Sequence, residues 1–275
     1  MSGTLYVVGT PIGNLGDLTD RARETLGSVD LVAAEDTRRT GRLLARLGIK
    51  RRMVSLFEGN ERERTTSIVD ELRAGKDVAL VSDAGMPSIS DPGFLLVRAC
   101  TQEGIEIRVV PGPSAVTAAL VVSGLPVERF TFEGFLPRKA GERRERLRSL
   151  AEDPRTLVLF ESPRRLRTLL RDIEAELGDR RIAVARELTK LHEEVLRGRA
   201  SEVVDRLGDA DPKGEIVLVV EGRRDEEAPG LDELVVEATR LVGGGMRKRE
   251  AASAVARERG GSANAIYEAL TRSAR

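Results

Sequence analysis

Residues 79–114 read ALVSDAGMPSISDPGFLLVRACTQEGIEIRVVPGPS. The apolar run Val78–Val81 predicts a strand leading into a loop that contains Asp83, Gly85, Pro87 and Pro92. A helix is expected next, with Asp91 as its cap and Pro92 at its first position, where a missing N–H costs nothing. Gly104 marks its end. The run Ile107–Val110 predicts a second strand that stops at Pro111-Gly112-Pro113-Ser114, after which another helix begins. Two strands with one helix between them predict a right-handed parallel βαβ unit on neighbouring strands, so both loops should leave from the carboxyl ends. Ligands bind at that edge in open α/β sheets.

Worked outward from there, the first half alternates short apolar runs with amphipathic stretches. Strands are expected at 5–8, 29–34 and 53–56, and helices at 19–26, 37–47 closed by Gly48, and 64–74 closed by Gly75. That alternation predicts a mostly parallel sheet covered by helices. A second set follows, with strands at 130–132, 156–160, 182–186, 195–198 and 215–220 and helices at 141–150, 162–177 and from Ser201. The fold class is therefore α/β, in two α/β domains, with a small helical extension. The expected boundaries are 1–125, 126–222 and 223–275, the last opening on a stretch, 222–230, of linker composition. Helices at 231–241, 247–259 and 262–270 complete the chain. The last two have the spacing of a helix-turn-helix, and packing as a plain extension is an equal reading. From Met246 onward seven cations face three acids, which favours nucleic acid contact.

Composition bounds the chemistry. Lys and Arg together number 45, as do Asp and Glu, so only the distribution of charge carries information. Cys100 is the single cysteine and has no internal disulfide partner, as expected of a reducing cytoplasm. No run approaches the ~20 apolar residues of a membrane span, so no membrane partner is expected. His192 is the only histidine, which disfavours a Ser-His-Asp hydrolase or a zinc site. No metal is expected. The first loop, 9–16 (GTPIGNLG), has neither the spacing of a dinucleotide-binding turn nor that of a P-loop. Its backbone N–H groups suit a substrate phosphate or the border of a cofactor, with Asn14 among the candidate contacts.

Two clusters are strongly basic. Residues 37–52 hold seven cations and no acid, with Arg38, Arg42 and Arg46 at helical spacing. Residues 138–148 hold six cations, among them Arg138, Lys139, Arg143 and Arg144, against two acids. With Arg164 and Arg165 at a later strand end, these are candidate phosphate contacts, which position a nucleic acid without reading its sequence. The scarcity of aromatics, eight Phe and Tyr with no Trp, argues for a folded RNA rather than a stacked single strand.

The motifs SDAGMPSISDPG and VVPGPSAV resemble the signature of the tetrapyrrole-methylase-like methyltransferases, in particular their ribosomal RNA small subunit methyltransferase I branch. The resemblance continues through LYVVGTPIGNLGDLT, VDLVAAEDTRRTGRLL, FEGFLPRK, FESPRRL, RELTKLHEE and GEIVLVVEG. The chain departs from the family's usual residues at Gly9, Arg39, Met86, Ser88 and 57–60. The resemblance implies S-adenosylmethionine in a cleft between the two domains and 2′-O-methylation of a cytidine in the decoding region of 16S rRNA. It also implies a homodimer acting on the small ribosomal subunit in the cytoplasm. Ile12, Ser82, Asp83, Ala84, Gly85, Met86, Pro111, Gly112, Ser114, Ala115 and Leu188 are the positions it places at the cofactor. Asp36, Glu187 and Lys190 are candidates for the base, which stays open; Lys190 needs a depressed pKa to serve. Two rivals remain, a methylase of a tetrapyrrole precursor and a ligand-sensing DNA-binding regulator.

Overall fold

A computed structural model describes residues 2–207, 214–223, 231–259 and 261–272, so most of the expected linker, 224–230, lies outside the described residues. The first ten elements are β1 (Leu5–Val8), α1 (Asp20–Ser28), β2 (Leu31–Ala34), α2 (Thr37–Arg46), β3 (Arg52–Ser55), α3 (Glu61–Arg73), β4 (Val78–Val81), α4 (Phe94–Gln102), β5 (Ile107–Val110) and α5 (Ala115–Ser123). Their strands form a wholly parallel sheet in the order β3-β2-β4-β1-β5. Strands β2 and β4 are buried along their whole length, as a sheet covered on both faces requires. Leu5, Leu31, Leu72, Leu80, Leu96 and Cys100 fill one side of it, and Val8, Leu26, Val32, Leu44 and Val81 the other. Burial pushes the Cys100 thiol up to about 11.

Two expectations are corrected here. Strands β4 and β5 are not neighbours, because β1 runs between them and pairs with both, Leu5 lying opposite Val78 and Ile107. Three loops instead of two therefore emerge side by side. Nor does Asp91 cap α4: the cap is Gly93, at φ 129°, and the carboxylate of Glu61 accepts the N–H groups of Gly93 (2.8 Å) and Leu95 (2.9 Å). A remote acid thus takes over the capping and leaves Asp91 free to face elsewhere.

The second set comprises β6 (Phe130–Phe135), α6 (Ala140–Ser149), β7 (Thr156–Glu161), α7 (Pro163–Leu177), β8 (Arg181–Arg186), β9 (Glu194–Arg199), α8 (Ala200–Arg206) and β10 (Ile216–Val220). Its sheet runs β6-β7-β10-β8-β9; only β6 and β7 pair in parallel. Leu159, Leu166, Leu170, Ile173, Val184 and Leu218 pack on the face that α6, α7 and α8 cover. On the other face, Val158, Ala183, Val217 and Val219 meet Val116, Ala119 and Leu120 of α5. The helix that follows the PGPS loop thereby ties the two sheets into one compact unit, Met1–Ala151 with Arg155–Glu221.

The second unit holds α9 (Leu231–Gly243), α10 (Lys248–Arg259) and α11 (Ala263–Arg272). Leu234, Ala238, Ala252, Val255, Ile266 and Leu270 form its core. The turn into α11 passes through Gly261 at φ 91°, where a Cβ would lie 2.7 Å from Leu234. No other residue fits that turn without strain.

Candidate active site

The loops after β1, β4 and β5 are joined to one another. Thr10 and Gly85 exchange backbone hydrogen bonds at 2.9 and 3.0 Å, and the Thr10 hydroxyl donates to the Ser82 carbonyl at 3.2 Å. Gly9 and Gly112 touch so closely that a Cβ on Gly9 would lie 2.7 Å from the Gly112 backbone. The β4 loop is also braced to β2: Glu35 accepts the Asp83 N–H and Asp83 accepts the Asp36 N–H, each at 3.1 Å.

Beside these loops, against the second sheet, opens a cleft of about 440 Å³. Its apolar walls include Ile12, Met86, Ile89 and Ala115 from the first sheet's loops and Phe135, Phe160, Leu188 and Val217 from the second's. Two strained loops present part of this wall. Ser88, Ser90, Glu187 and Thr189 are the non-glycine residues with positive φ among the described residues, at 70°, 61°, 52° and 66°. Each pair flanks one cleft residue, Ile89 or Leu188. Strain of this kind persists only where the surrounding structure fixes it.

Five carboxylates line the cleft, from Glu35, Asp83, Asp91, Glu161 and Glu215, with Arg39 as its one cation among the described residues. Burial raises the pKa of Asp91 to about 6, helped by the charges of Glu35 and Asp83 and opposed by the Ser82 hydroxyl. Burial likewise raises Glu35, against the Asp83 N–H, and Asp83, against Arg39. Glu161 is buried; one of its oxygens accepts the Ser162 N–H at 2.7 Å. The other is ion-paired with Arg165 at 3.2 Å without meeting hydrogen-bond geometry.

The residues singled out from the sequence divide accordingly. Ile12, Asp83, Ala84, Gly85, Met86, Ser114, Ala115 and Leu188 converge on the cleft. Ser82 lies buried just behind it, while Gly112 packs on Gly9 and Pro111 is exposed. None of the three candidate bases, Asp36, Glu187 and Lys190, is among the residues that line the cleft. Asp36 caps α2 and is gripped by the Arg38 guanidinium at 2.8 and 3.1 Å, which holds its pKa far below the carboxylate range. Glu187 accepts from Lys190 at 2.8 Å and its pKa is lowered. Burial works against the charge of Lys190, but Glu187 and Glu215 outweigh it and its pKa rises, the reverse of what a base needs. Glu35 and Asp91 face the cleft without being spent on a cation. Sequence reasoning misses both, because each sits where a strand end or a helix cap is the ordinary reading.

The basic clusters also separate. A groove of about 510 Å³ is lined by Arg39, Arg42 and Arg46 with Pro11, Gly13 and Leu15. Arg38 turns away onto Asp36, and Arg39 takes its place. Asn14 caps a short 3-10 turn, accepting the Gly16 N–H at 2.9 Å. In the second cluster, Arg143 is buried and bonded to Asp172 at 2.7 Å, and Arg144 holds the other oxygen of the same carboxylate at 2.8 Å. Arg143 is thus a structural ion pair and is corrected as a phosphate contact. Arg165 is occupied by the carbonyls of Leu136 and Pro137. Lys139 pairs with Glu142, while Arg138 and Arg164 are exposed.

Comparison with known proteins agrees with this geometry. The family model for tetrapyrrole (corrin/porphyrin) methylases matches residues 4–204. A protein of Thermotoga maritima named ribosomal RNA small subunit methyltransferase I is 53% identical over 80% of this chain and 99% of its own length. Another of that name from Pasteurella multocida is 43% identical over 98% of this chain and 96% of its own. Among solved structures, uroporphyrin-III-C-methyltransferase from Thermus thermophilus superposes with a TM-score of 0.54 at 25% identity, covering 79% of this chain and 94% of that one.

Proposed function

Since the chain belongs to the tetrapyrrole (corrin/porphyrin) methylase family and is an rRNA methyltransferase like the relatives it matches along most of its length, we propose that it methylates the ribose 2′-hydroxyl of a cytidine in the decoding region of 16S rRNA. S-adenosylmethionine, when bound, supplies a methyl group on a cationic sulfonium. The cleft carries this reading, because it combines apolar walls of the size that takes such a ligand with a concentration of carboxylates suited to a cation. The buried Glu161 oxygen, ion-paired with Arg165 but without a hydrogen bond, offers an acceptor for a ligand N–H or O–H group. Asp83, held by two backbone hydrogen bonds, faces the cationic part of the ligand.

The chain's own task is to align the hydroxyl oxygen with the methyl carbon, exclude water and receive the hydroxyl proton. Asp91 and Glu35 are the proton acceptors of this reading. The groove of Arg39, Arg42 and Arg46 holds the RNA backbone, and α10 and α11 supply further contact to the small subunit. The same reading places the protein in the cytoplasm, as a homodimer. No helix among the described residues is long and apolar enough to cross a membrane.

The superposition on a uroporphyrin methylase keeps one rival in view, a tetrapyrrole substrate. The arginine groove favours RNA over it, since a row of phosphates uses three guanidinium groups along one helix. The two are separated by supplying labelled S-adenosylmethionine with either isolated small ribosomal subunits or a tetrapyrrole precursor. Label in the rRNA alone is expected; label in the tetrapyrrole alone contradicts the reading.

A further inference from the structure

The cleft and the arginine groove share two residues, Arg39 and Asp83. Arg39 is the one cation among the described residues of an otherwise acidic cleft, and Asp83 is the one acid of an otherwise basic groove. Each is the foreign charge in its cavity, and the two are paired with each other, Arg39 Nη1 lying 3.3 Å from Asp83 Oδ2. The two ends of this pair are held very differently. Asp83 is fixed, because its carboxylate accepts the Asp36 N–H and its own N–H is bound by Glu35. Arg39 is 58% exposed along its side chain, and Asp83 is its ion-pair partner. Exposed pairs of this kind contribute little, and they are easily exchanged for a stronger partner.

We propose that the Arg39–Asp83 pair is an exchangeable contact that couples the two cavities: a phosphodiester in the groove draws Arg39 away, and the cationic methyl donor in the cleft takes its place beside Asp83. The inference rests on the functional reading above. Arg39 gains by the exchange, since it joins Arg42 and Arg46 on an anion where a planar guanidinium binds two oxygens at once. Asp83 gains also, since a half-buried carboxylate deprived of one counter-ion strengthens its hold on the remaining cation. Each ligand thus removes the other's competitor. Binding of donor and RNA is therefore mutually reinforcing, and by linkage the factor is the same in both directions. In the free protein Arg39 screens Asp83, which moderates the affinity for the donor until RNA arrives.

The test is calorimetric titration of S-adenosylmethionine into the full chain, alone and with a saturating cytidylate RNA octamer at low salt. For the wild type, RNA should tighten donor binding about fivefold, at the lower end of usual coupling factors. Arg39→Gln should bind the donor more tightly without RNA, by a similar factor, and RNA should add nothing. Arg39→Lys should restore part of the coupling, since it restores the charge without the fork. Repeating the titrations with S-adenosylhomocysteine, which lacks the sulfonium charge but keeps the ammonium, identifies the group beside Asp83: a gain in Arg39→Gln confined to the methyl donor assigns the sulfonium, and a gain for both assigns the ammonium. An unchanged donor affinity in Arg39→Gln overturns the exchange. An octamer that fails to bind, or binds without altering donor affinity, overturns the coupling and leaves the cofactor reading intact. A wild-type protein that binds no S-adenosylmethionine overturns that reading itself.

Discussion

Asp91 shows how position, more than residue type, decides what a carboxylate does. Read along the chain it precedes a proline and a helix, and capping is the natural inference; Glu61, far upstream, does that work instead. Asp91 then lies in the cleft beside Glu35 and Asp83, and its pKa rises to about 6. Between the ordinary carboxylate value and about 6 the folded protein binds more protons than the unfolded chain, so this group's contribution to stability falls as pH rises through that window. Asp91→Asn should therefore be more stable than the wild type at pH 7 to 8, with the difference disappearing below about pH 4. Urea midpoints of both proteins measured across that range check it; a difference that does not vary with pH would show that Asp91 titrates normally. The same substitution should slow methyl transfer if Asp91 receives the hydroxyl proton.

At the scale of elements, the alternation of apolar runs with Gly and Pro punctuation made nearly every strand and helix legible, because burial on both faces of β2 and β4 leaves no room for a polar residue in either run. Strand order was not legible. Nothing local in Leu5–Val8 says that it inserts between β4 and β5, since that depends on pairing across about 70 and 100 residues. Most of the positions expected at the cofactor converge on the cleft because the loops that carry them end at one sheet edge. Helix α6 is the opposite case, where a count of charges misled. Arg143 and Arg144 clamp Asp172 of α7, so part of the apparent basic patch belongs to helix packing. Arg143→Ala removes the buried one of the two arginines on Asp172, leaves Arg144 on the other oxygen, and should cost about 1.5–3 kcal/mol of stability. Thermal or denaturant unfolding measures this; a loss under about 1 kcal/mol, the range of surface pairs, would return Arg143 to the surface. Arg42→Ala with Arg46→Ala should behave in the converse way. Stability should hardly change, while the log–log salt dependence of RNA binding should flatten by roughly 0.7–0.9 for each phosphate the variant no longer neutralises. An unaltered slope with unaltered affinity would move the RNA path away from the groove.

For the molecule as a whole, the two sheets and α5 form one compact unit and the three C-terminal helices another, each with its own core. Removing residues 231–275 should leave S-adenosylmethionine affinity unchanged within error and weaken binding to the small subunit. Loss of folding on truncation, seen by circular dichroism, would show instead that the α/β unit needs the tail; specific duplex DNA binding by the full chain would favour a regulator. Whether the acidic cleft and the arginine groove together methylate a ribose of small-subunit rRNA is tested most directly by mapping 2′-O-methyl groups on 16S rRNA. The rRNA is taken from cells lacking this protein, and from the same cells supplied with the wild type or with Asp83→Asn. One decoding-region cytidine should lack its ribose methyl group in the deletion, regain it with the wild type, and regain little or none with the variant. An rRNA methylation pattern identical in all three strains would contradict this assignment.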